Sequence, residues 1–368
     1  MKRILIVRQD AAHLGPSHDS GLLARYWQQQ GLDVVTLRLL PPGDPVNTDD
    51  RASADAYTIA WPHPWSWAAW QSIREQTRRL QPDEIHVWGI DSRWLARVLA
   101  SFCRCRVREF VATSGRSNGS LEKWCERRGR GELVRTFRHP RLADRCQPAW
   151  SQGHPPGRLP WFRYTDSRSP VDREQLREQW NIPAGATVVG TIGPQVPRTN
   201  IKDFIWAADL LRCIRDDVYW IVFGTGRGNW RLKKYASQLD IAERIDFRDF
   251  GRGEPCPLAG LDLYVQPSDW FDDFSGLRAA ISAGRPVIGI SQSVHAGLVR
   301  HHRSGYLVER GARNEIARCV NRLASETAIA AGMQQQALAI AGHRLASLEE
   351  ASAMLWRESL APPLDQAG

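Results

Sequence analysis

No run of about 18 or more apolar residues occurs in this 368-residue chain, so no segment is long enough to span a bilayer as a helix. The first apolar stretch, Ile4–Val7, is far shorter than the roughly 7–15 residues of a secretory leader. It reads as a buried first strand, and the chain as cytoplasmic. Cysteine is scarce and odd in number: seven residues, with Cys103 and Cys105 one residue apart and the others scattered. No Cys-x-x-Cys pair faces a matching Cys or His pair, so the expectation is reduced thiols and no metal. No Ser-His-Asp or Cys-His spacing stands out. No recognised nucleic-acid module is present, and no nucleic-acid partner is expected. A composition of 42% apolar and 24% charged residues excludes a disordered or fibrous chain.

What the chain does have is charge in one place. The net charge is +9. Residues 104–168 hold fifteen Lys and Arg against six acids, so that segment carries the whole excess and the rest is neutral overall. A one-sided basic stretch suits an anionic partner such as a membrane surface, or else a solvated face. Tryptophan is abundant, sixteen in all, with four crowded into WPHPWSWAAW at 61–70. Trp is highly buried on average, so core packing is expected there.

Along the chain, strand and helix signals alternate. Strands are predicted over residues 3–7, 33–39, 84–88 and 107–112, with helices over 21–30, 66–80 and 92–102. The proline-rich stretch 147–170 interrupts the pattern and marks a domain boundary. Alternation then restarts: strands over 187–192, 219–223, 245–247, 261–266 and 286–290, helices over 202–214, 230–239, 276–283 and 313–323, and a helical tail over 328–360. Such alternation indicates parallel sheets wrapped by helices. The expected division is 1–165, 166–340 and a closing helix in 341–368 that crosses back to the first domain.

Five ordered segments in the second half carry a family resemblance: VVGTIGPQVPRTNIKDFIWAADLL, YWIVFGTGRGNWRLKKYASQLDIAERIDF, GLDLYVQPSDW, AAISAGRPVIG and SGYLV. Together, over about 187–323, they resemble the C-terminal domain of group 1, family 4-like, retaining glycosyltransferases. The first half matches only in outline, at residues 1–7 and DEIHVWG. The resemblance implies a GT-B fold, an α/β architecture of two Rossmann-like doubly wound domains facing across a cleft. It implies a nucleotide-sugar donor on the second domain, used as substrate with no cofactor, and a glycan or lipid-linked acceptor on the first, as in polysaccharide biosynthesis. A lipid-linked acceptor would fit peripheral contact with an anionic membrane.

The resemblance also assigns candidate residues. The loop after the first strand of the second domain usually carries an Arg, then a Lys five residues on; here those positions are Pro194 and Thr199, and the nearest cations are Arg198 and Lys202. The usual pair of Glu with seven residues between them falls on Phe271 and Ala279, or one register on, on Asp272 and Ala280. Asp272 and Asp273 are thus the catalytic candidates. Ser275, Gly276 and Leu277 could offer backbone N–H groups to a phosphate or sugar. The turn Gly224, Thr225, Gly226, Arg227 and Gly228 sits where the family has its Gly-x-Gly turn. Alone it is also a partial dinucleotide fingerprint, which leaves a dehydrogenase open; a sugar-nucleotide epimerase is a further alternative. On the acceptor side the candidates are His13, Gly15 and His86, the last read as ending a strand or as a buried structural histidine. Because four motif positions differ, a non-catalytic GT-B protein that binds a glycan or a partner protein is the alternative reading.

Overall fold

A computed structural model describes residues 2–9, 16–40, 56–63, 66–89, 92–111, 133–137, 157–158, 163, 172–248, 257–268, 275–291 and 295–360. The chain divides into two compact units: residues 163–345 make up the body of one, while residues 346–368 fall with the other, N-terminal unit. Of the proline-rich stretch 147–170, only residues 157, 158 and 163 are described, and most of the basic segment 104–168 lies outside the described residues.

The first unit holds a parallel sheet of β1 (Arg3–Gln9), β2 (Asp33–Leu40), β3 (Ala56–Ala60), β4 (Glu84–Trp88), β5 (Arg106–Val111), β6 (Leu133–Phe137) and β7 (Gly157–Arg158), in the order β3-β2-β1-β4-β5-β6-β7. Helices α1 (Pro16–Gln29), α2 (Trp67–Leu80) and α3 (Ser92–Phe102) connect the strands, as parallel pairing requires. Ser66 caps α2, its Oγ accepting from the Ala69 N–H. Ile73, Leu95 and Leu99 meet Leu5, Val7, Ile85 and Val87 of the sheet in one core. The tryptophan cluster is part core and part surface. Trp61 is buried and stacks edge-on against Trp70, which meets Trp94 in turn, but Trp67 in the first turn of α2 is 74% exposed. Core packing was expected for it. Its position on the solvent side of α2, away from the buried stripe Ala69, Ile73, Thr77 and Leu80, is the reason it fails.

The second unit holds β8 (Thr187–Ile192), β9 (Val218–Phe223), β10 (Ile245–Arg248), β11 (Leu263–Gln266), β12 (Val287–Ile290) and β13 (Gly305–Val308), all parallel, in the order β10-β9-β8-β11-β12-β13. Its helices are α4 (Arg173–Gln179), α5 (Ile201–Arg212), α6 (Asn229–Gln238), α7 (Ser275–Ser282), the single turn α8 (His295–Leu298), α9 (Arg313–Ser325) and α10 (Thr327–Arg344). Its strands are apolar on both faces, the signature of a sheet covered on both sides. Val189, Phe204, Ile205, Trp220, Val222 and Ile288 form its centre; full burial of side chains of this size stabilises by about 1.5–3 kcal/mol each. In both sheets chain order reverses beside the first strand, at β1/β4 and at β8/β11. Such a switch point opens a crevice outside the carboxyl ends of the strands, where ligands bind in doubly wound folds.

Helix α11 (Leu348–Leu360) belongs to the first unit and packs on α1. A buried polar network fastens it. Trp27 Nε1 of α1 donates to Ser352 Oγ at 2.7 Å, and Lys2 Nζ lies 4.6 Å from the Trp356 ring centroid. Arg108 of β5, fully buried, donates to Glu84 Oε1 at 3.2 Å, to Thr136 Oγ1 at 3.1 Å and to the Leu355 carbonyl at 3.5 Å. Lys2 meets the other Glu84 oxygen at 3.0 Å. Burial pushes the Glu84 carboxyl up, but the hydrogen bonds from His86 and Lys2 and the Arg108 charge outweigh it and hold the group well below the carboxylate range.

Candidate functional site

The carboxyl edge of the second sheet is built from three loops, those after β9, β8 and β11. Gly193 N–H donates to the Phe223 carbonyl at 3.1 Å, Gln195 N–H to the Thr225 carbonyl at 2.9 Å, and Gly228 N–H to the Gln195 carbonyl at 2.9 Å. The loop after β8 is therefore zipped onto the Gly224–Gly228 turn after β9. The glycines make this fit: Gly224 has φ of 121°, and a side chain there would collide with the Gly193 carbonyl oxygen. The glycines of GTGRG thus serve the contact between two loops.

Gln195 locks that contact. It is fully buried, and its Nε2 donates to the Gly224 carbonyl at 2.5 Å. That bond fixes the amide's orientation, and leaves Oε1 buried with no hydrogen-bond partner among the described residues. Thr199 is buried as well, and its hydroxyl reaches the Pro194 and Val196 carbonyls at 2.8 and 2.7 Å. A threonine here closes its own loop, where a lysine would extend a charge. Asn200 takes the left-handed conformation (φ 53°) that turns the chain into α5, and its Nδ2 donates to the Pro267 carbonyl at 3.4 Å, tying the loop after β8 to that after β11.

At the end of β11, the Tyr264 hydroxyl donates to Gln266 Oε1 at 2.6 Å. Gly276 sits directly on this hydroxyl, with no room for a side chain, so the start of α7 lies low against the switch point. Ser275 is 2% exposed and its Oγ has no hydrogen-bond partner among the described residues. Leu277 is wholly buried and packs in the core, so only its backbone is placed for ligand work. Arg278, one turn into α7, is buried too. A helix N-terminus presents unpaired N–H groups and the positive end of the helix dipole to an anion.

The structure thus brings together the Gly224–Gly228 turn, the loop bearing Arg198, and Ser275–Leu277. Arg198 and Arg227 are exposed on these loops. Lys202 stands apart: its Nζ lies 4.5 Å from the Tyr235 ring centroid, between α5 and α6. Asp272, Asp273, His13 and Gly15 lie outside the described residues. His86 is corrected. It is the third of five residues of β4 and does not end it; it is 3% exposed, packed between Trp27 and Phe110, with Nε2–H donating to Glu84 Oε1 at 3.1 Å. Burial lowers its pKa against the opposing pull of Glu84, so it is a neutral member of the network under α11. Among the described residues no group of three His, Cys, Asp or Glu could hold a metal ion.

Three residues of this edge escaped the sequence reading: Gln195, Thr199 in its closing role, and Arg278. Only Arg278 leaves a trace, as a cation inside the otherwise small and apolar SGLRAAIS.

Residues 172–339 match the family described as glycosyl transferases, group 1. No curated protein matches by sequence. Among solved structures, HepE from Anabaena in complex with UDP-glucose is similar with a TM-score of 0.74 at 16% identity, covering 98% of this chain and 100% of that one. Sucrose-phosphate synthase from Thermosynechococcus elongatus has a TM-score of 0.72 at 15% identity, over 98% and 99%. WaaG, a glycosyltransferase involved in lipopolysaccharide biosynthesis, has a TM-score of 0.70 at 16% identity, over 96% and 99%. At these identities the likeness establishes the fold, which is that of GT-B enzymes.

Proposed function

From a chain whose residues 172–339 match the group 1 glycosyl transferase family, we propose transfer of a sugar from a nucleotide-sugar donor to a glycan or lipid-linked acceptor. One observation carries the reading. At the carboxyl edge of the second sheet two polar side chains, Gln195 and Ser275, are buried with an oxygen that has no hydrogen-bond partner among the described residues. Buried polar atoms without partners are costly, and in native proteins they mark places where something else binds.

The chemistry of the two atoms assigns the ligand's orientation. Ser275 carries an O–H and stands at a helix N-terminus, so it donates to an anion: the diphosphate of the leaving group. Gln195 Oε1 can only accept, because its amide nitrogen is spent on Gly224. It takes a hydroxyl or N–H of the nucleoside, which a diphosphate cannot supply. Arg198 and Arg227, on the flanking loops, compensate the developing charge, and Asp272 and Asp273 act at the sugar. Electrostatic groups fixed before the bond breaks are worth more than the same groups in water. The acceptor is taken by the N-terminal half of the chain, whose sequence candidates are His13 and Gly15; the basic stretch 104–168 accounts for contact with an anionic membrane when the acceptor is lipid-linked.

Calorimetric titration with UDP, GDP and ADP, followed by donor hydrolysis with the matching sugar nucleotides, tests this. Binding of one nucleoside diphosphate with slow donor turnover is expected. Absence of binding to all three would overturn it in favour of a non-catalytic protein that binds a glycan or partner.

A further inference from the structure

Helix α6 follows the Gly224–Gly228 turn, and its outer face has a composition that the donor site does not explain. No acid occurs from residue 218 through 239, while Arg231, Lys233 and Lys234 are all exposed. In its first turn Trp230 stands 61% exposed. The other described tryptophans of this unit are more enclosed: Trp180 and Trp220 are buried and Trp206 is half-buried. At 100° per residue along a helix, Trp230 falls at the centre of the exposed arc. Lys233 and Lys234 flank it at three and four residues on, and Arg231 lies beside it with its guanidinium carbon 5.1 Å from the indole centroid. The opposite side is the packed one, with Ala236 buried and Leu232 and Tyr235 against the core.

An exposed indole ringed by cations, with no acid within reach along the helix, matches one environment well. Trp settles at the headgroup level of a bilayer, its ring in apolar surroundings and its N–H in water. Lys and Arg around it are drawn to anionic lipid, each by about 1 kcal/mol near the surface. An anionic bilayer engages the cations and the indole at once, the first at the headgroup charges and the second at the apolar boundary beneath them. We propose that the Trp230 face of α6 docks on an anionic bilayer surface. This deepens the membrane part of the reading above by locating a contact on the donor-binding unit itself. Helix α2 offers the internal comparison: Trp67 is also exposed, yet Glu75 shares the exposed arc with Arg74, Arg78 and Arg79.

The test is co-sedimentation of the full chain with vesicles of equal parts phosphatidylcholine and phosphatidylglycerol, and with phosphatidylcholine alone. Expected is binding to the mixed vesicles only, weakening with added salt. Lys233→Glu/Lys234→Glu should lower the partition at least ~30-fold, the equivalent of two cations lost at about 1 kcal/mol each, and Trp230→Ala about 10-fold. The proposal is overturned if the double variant stays within about twofold of the native protein. It is also overturned if Trp67→Ala rather than Trp230→Ala reduces binding, or if an acidic polysaccharide binds the native chain and Trp230→Ala equally well while vesicles do not bind. The same variants are titrated with UDP: retained nucleotide affinity shows an intact donor unit. Vesicle binding without any nucleotide binding in the native chain would remove the enzymatic reading and leave the docking surface standing.

Discussion

Gln195→Met separates a structural role for the buried amide from a ligand-binding one. Methionine matches glutamine in length and volume and brings no strong donor or acceptor. In the free protein the change removes one hydrogen bond, Nε2 to the Gly224 carbonyl, at a cost of about 0.5–1.5 kcal/mol, with more if that carbonyl is left dry. It also removes the unpaired Oε1, whose burial costs a comparable 1–3 kcal/mol. The two nearly cancel, so denaturant stability should shift by less than about 1 kcal/mol. In the nucleotide complex the balance is different. There Oε1 accepts from the nucleoside, and its loss is uncompensated: affinity should fall by about 1–2 kcal/mol, or 5- to 30-fold in Kd. Calorimetric titration beside urea unfolding reads both quantities on the same samples. Unchanged stability with a Kd within about twofold of native would refute the assignment of Oε1 to the ligand.

Three further outcomes follow from the same geometry. Gly224→Ala forces a side chain into a left-handed backbone position against the Gly193 carbonyl; a loss of about 1–3 kcal/mol in unfolding free energy is expected together with weakened nucleotide binding. Arg108→Met strands the buried Glu84 carboxylate and unties the Leu355 carbonyl; about 3–5 kcal/mol should be lost, with amide exchange in α11 accelerating before that of the β8–β13 sheet. His86 sets an acid limit. Its folded pKa is lowered from 6.5, chiefly by burial, so the unfolded chain takes up the proton first. Stability is full above about 6.5 and falls as pH drops from there toward the folded value. Glu84, also depressed, contributes above its unfolded pKa and loses that contribution only at stronger acid. His86→Phe should flatten the pH dependence of urea midpoints in the mildly acidic range, and an unaltered slope would refute the coupling.

The sequence carried the sheets well because apolar runs such as TVVGTI and YWIVF are bounded by glycines and acids on both sides, and parallel strands need little else to be recognised. It carried the Gly224–Gly228 turn too, since a strand ends and a helix begins on either side of GTGRG. What it could not carry were partnerships made at long range. Arg108 lies in RVREFV, which reads as a strand with an exposed charged face; its partners come from Glu84, Thr136 and Leu355. His86 reads either as ending a strand at the ligand edge or as a buried structural histidine, and it is Trp27 and Phe110, from other elements, that decide for the second. Gln195 and Thr199 look like ordinary loop residues, because nothing local reveals that two loops close over them. Side-chain type and spacing report one element's faces, and burial of polar groups is decided by the elements that fold onto it.

Placing α11 with the first sheet has a consequence for the order in which this protein matures. The strands Arg3–Gln9 through Leu133–Phe137 leave the ribosome early, but Trp27 and Arg108 must wait for Ser352 and Leu355. The whole of β8–β13 is synthesised in between. The early unit therefore waits through the synthesis of the whole second sheet with a buried cation and an indole N–H lacking their final partners. A nascent chain stalled before residue 346 should carry a finished second sheet beside a protease-sensitive first one.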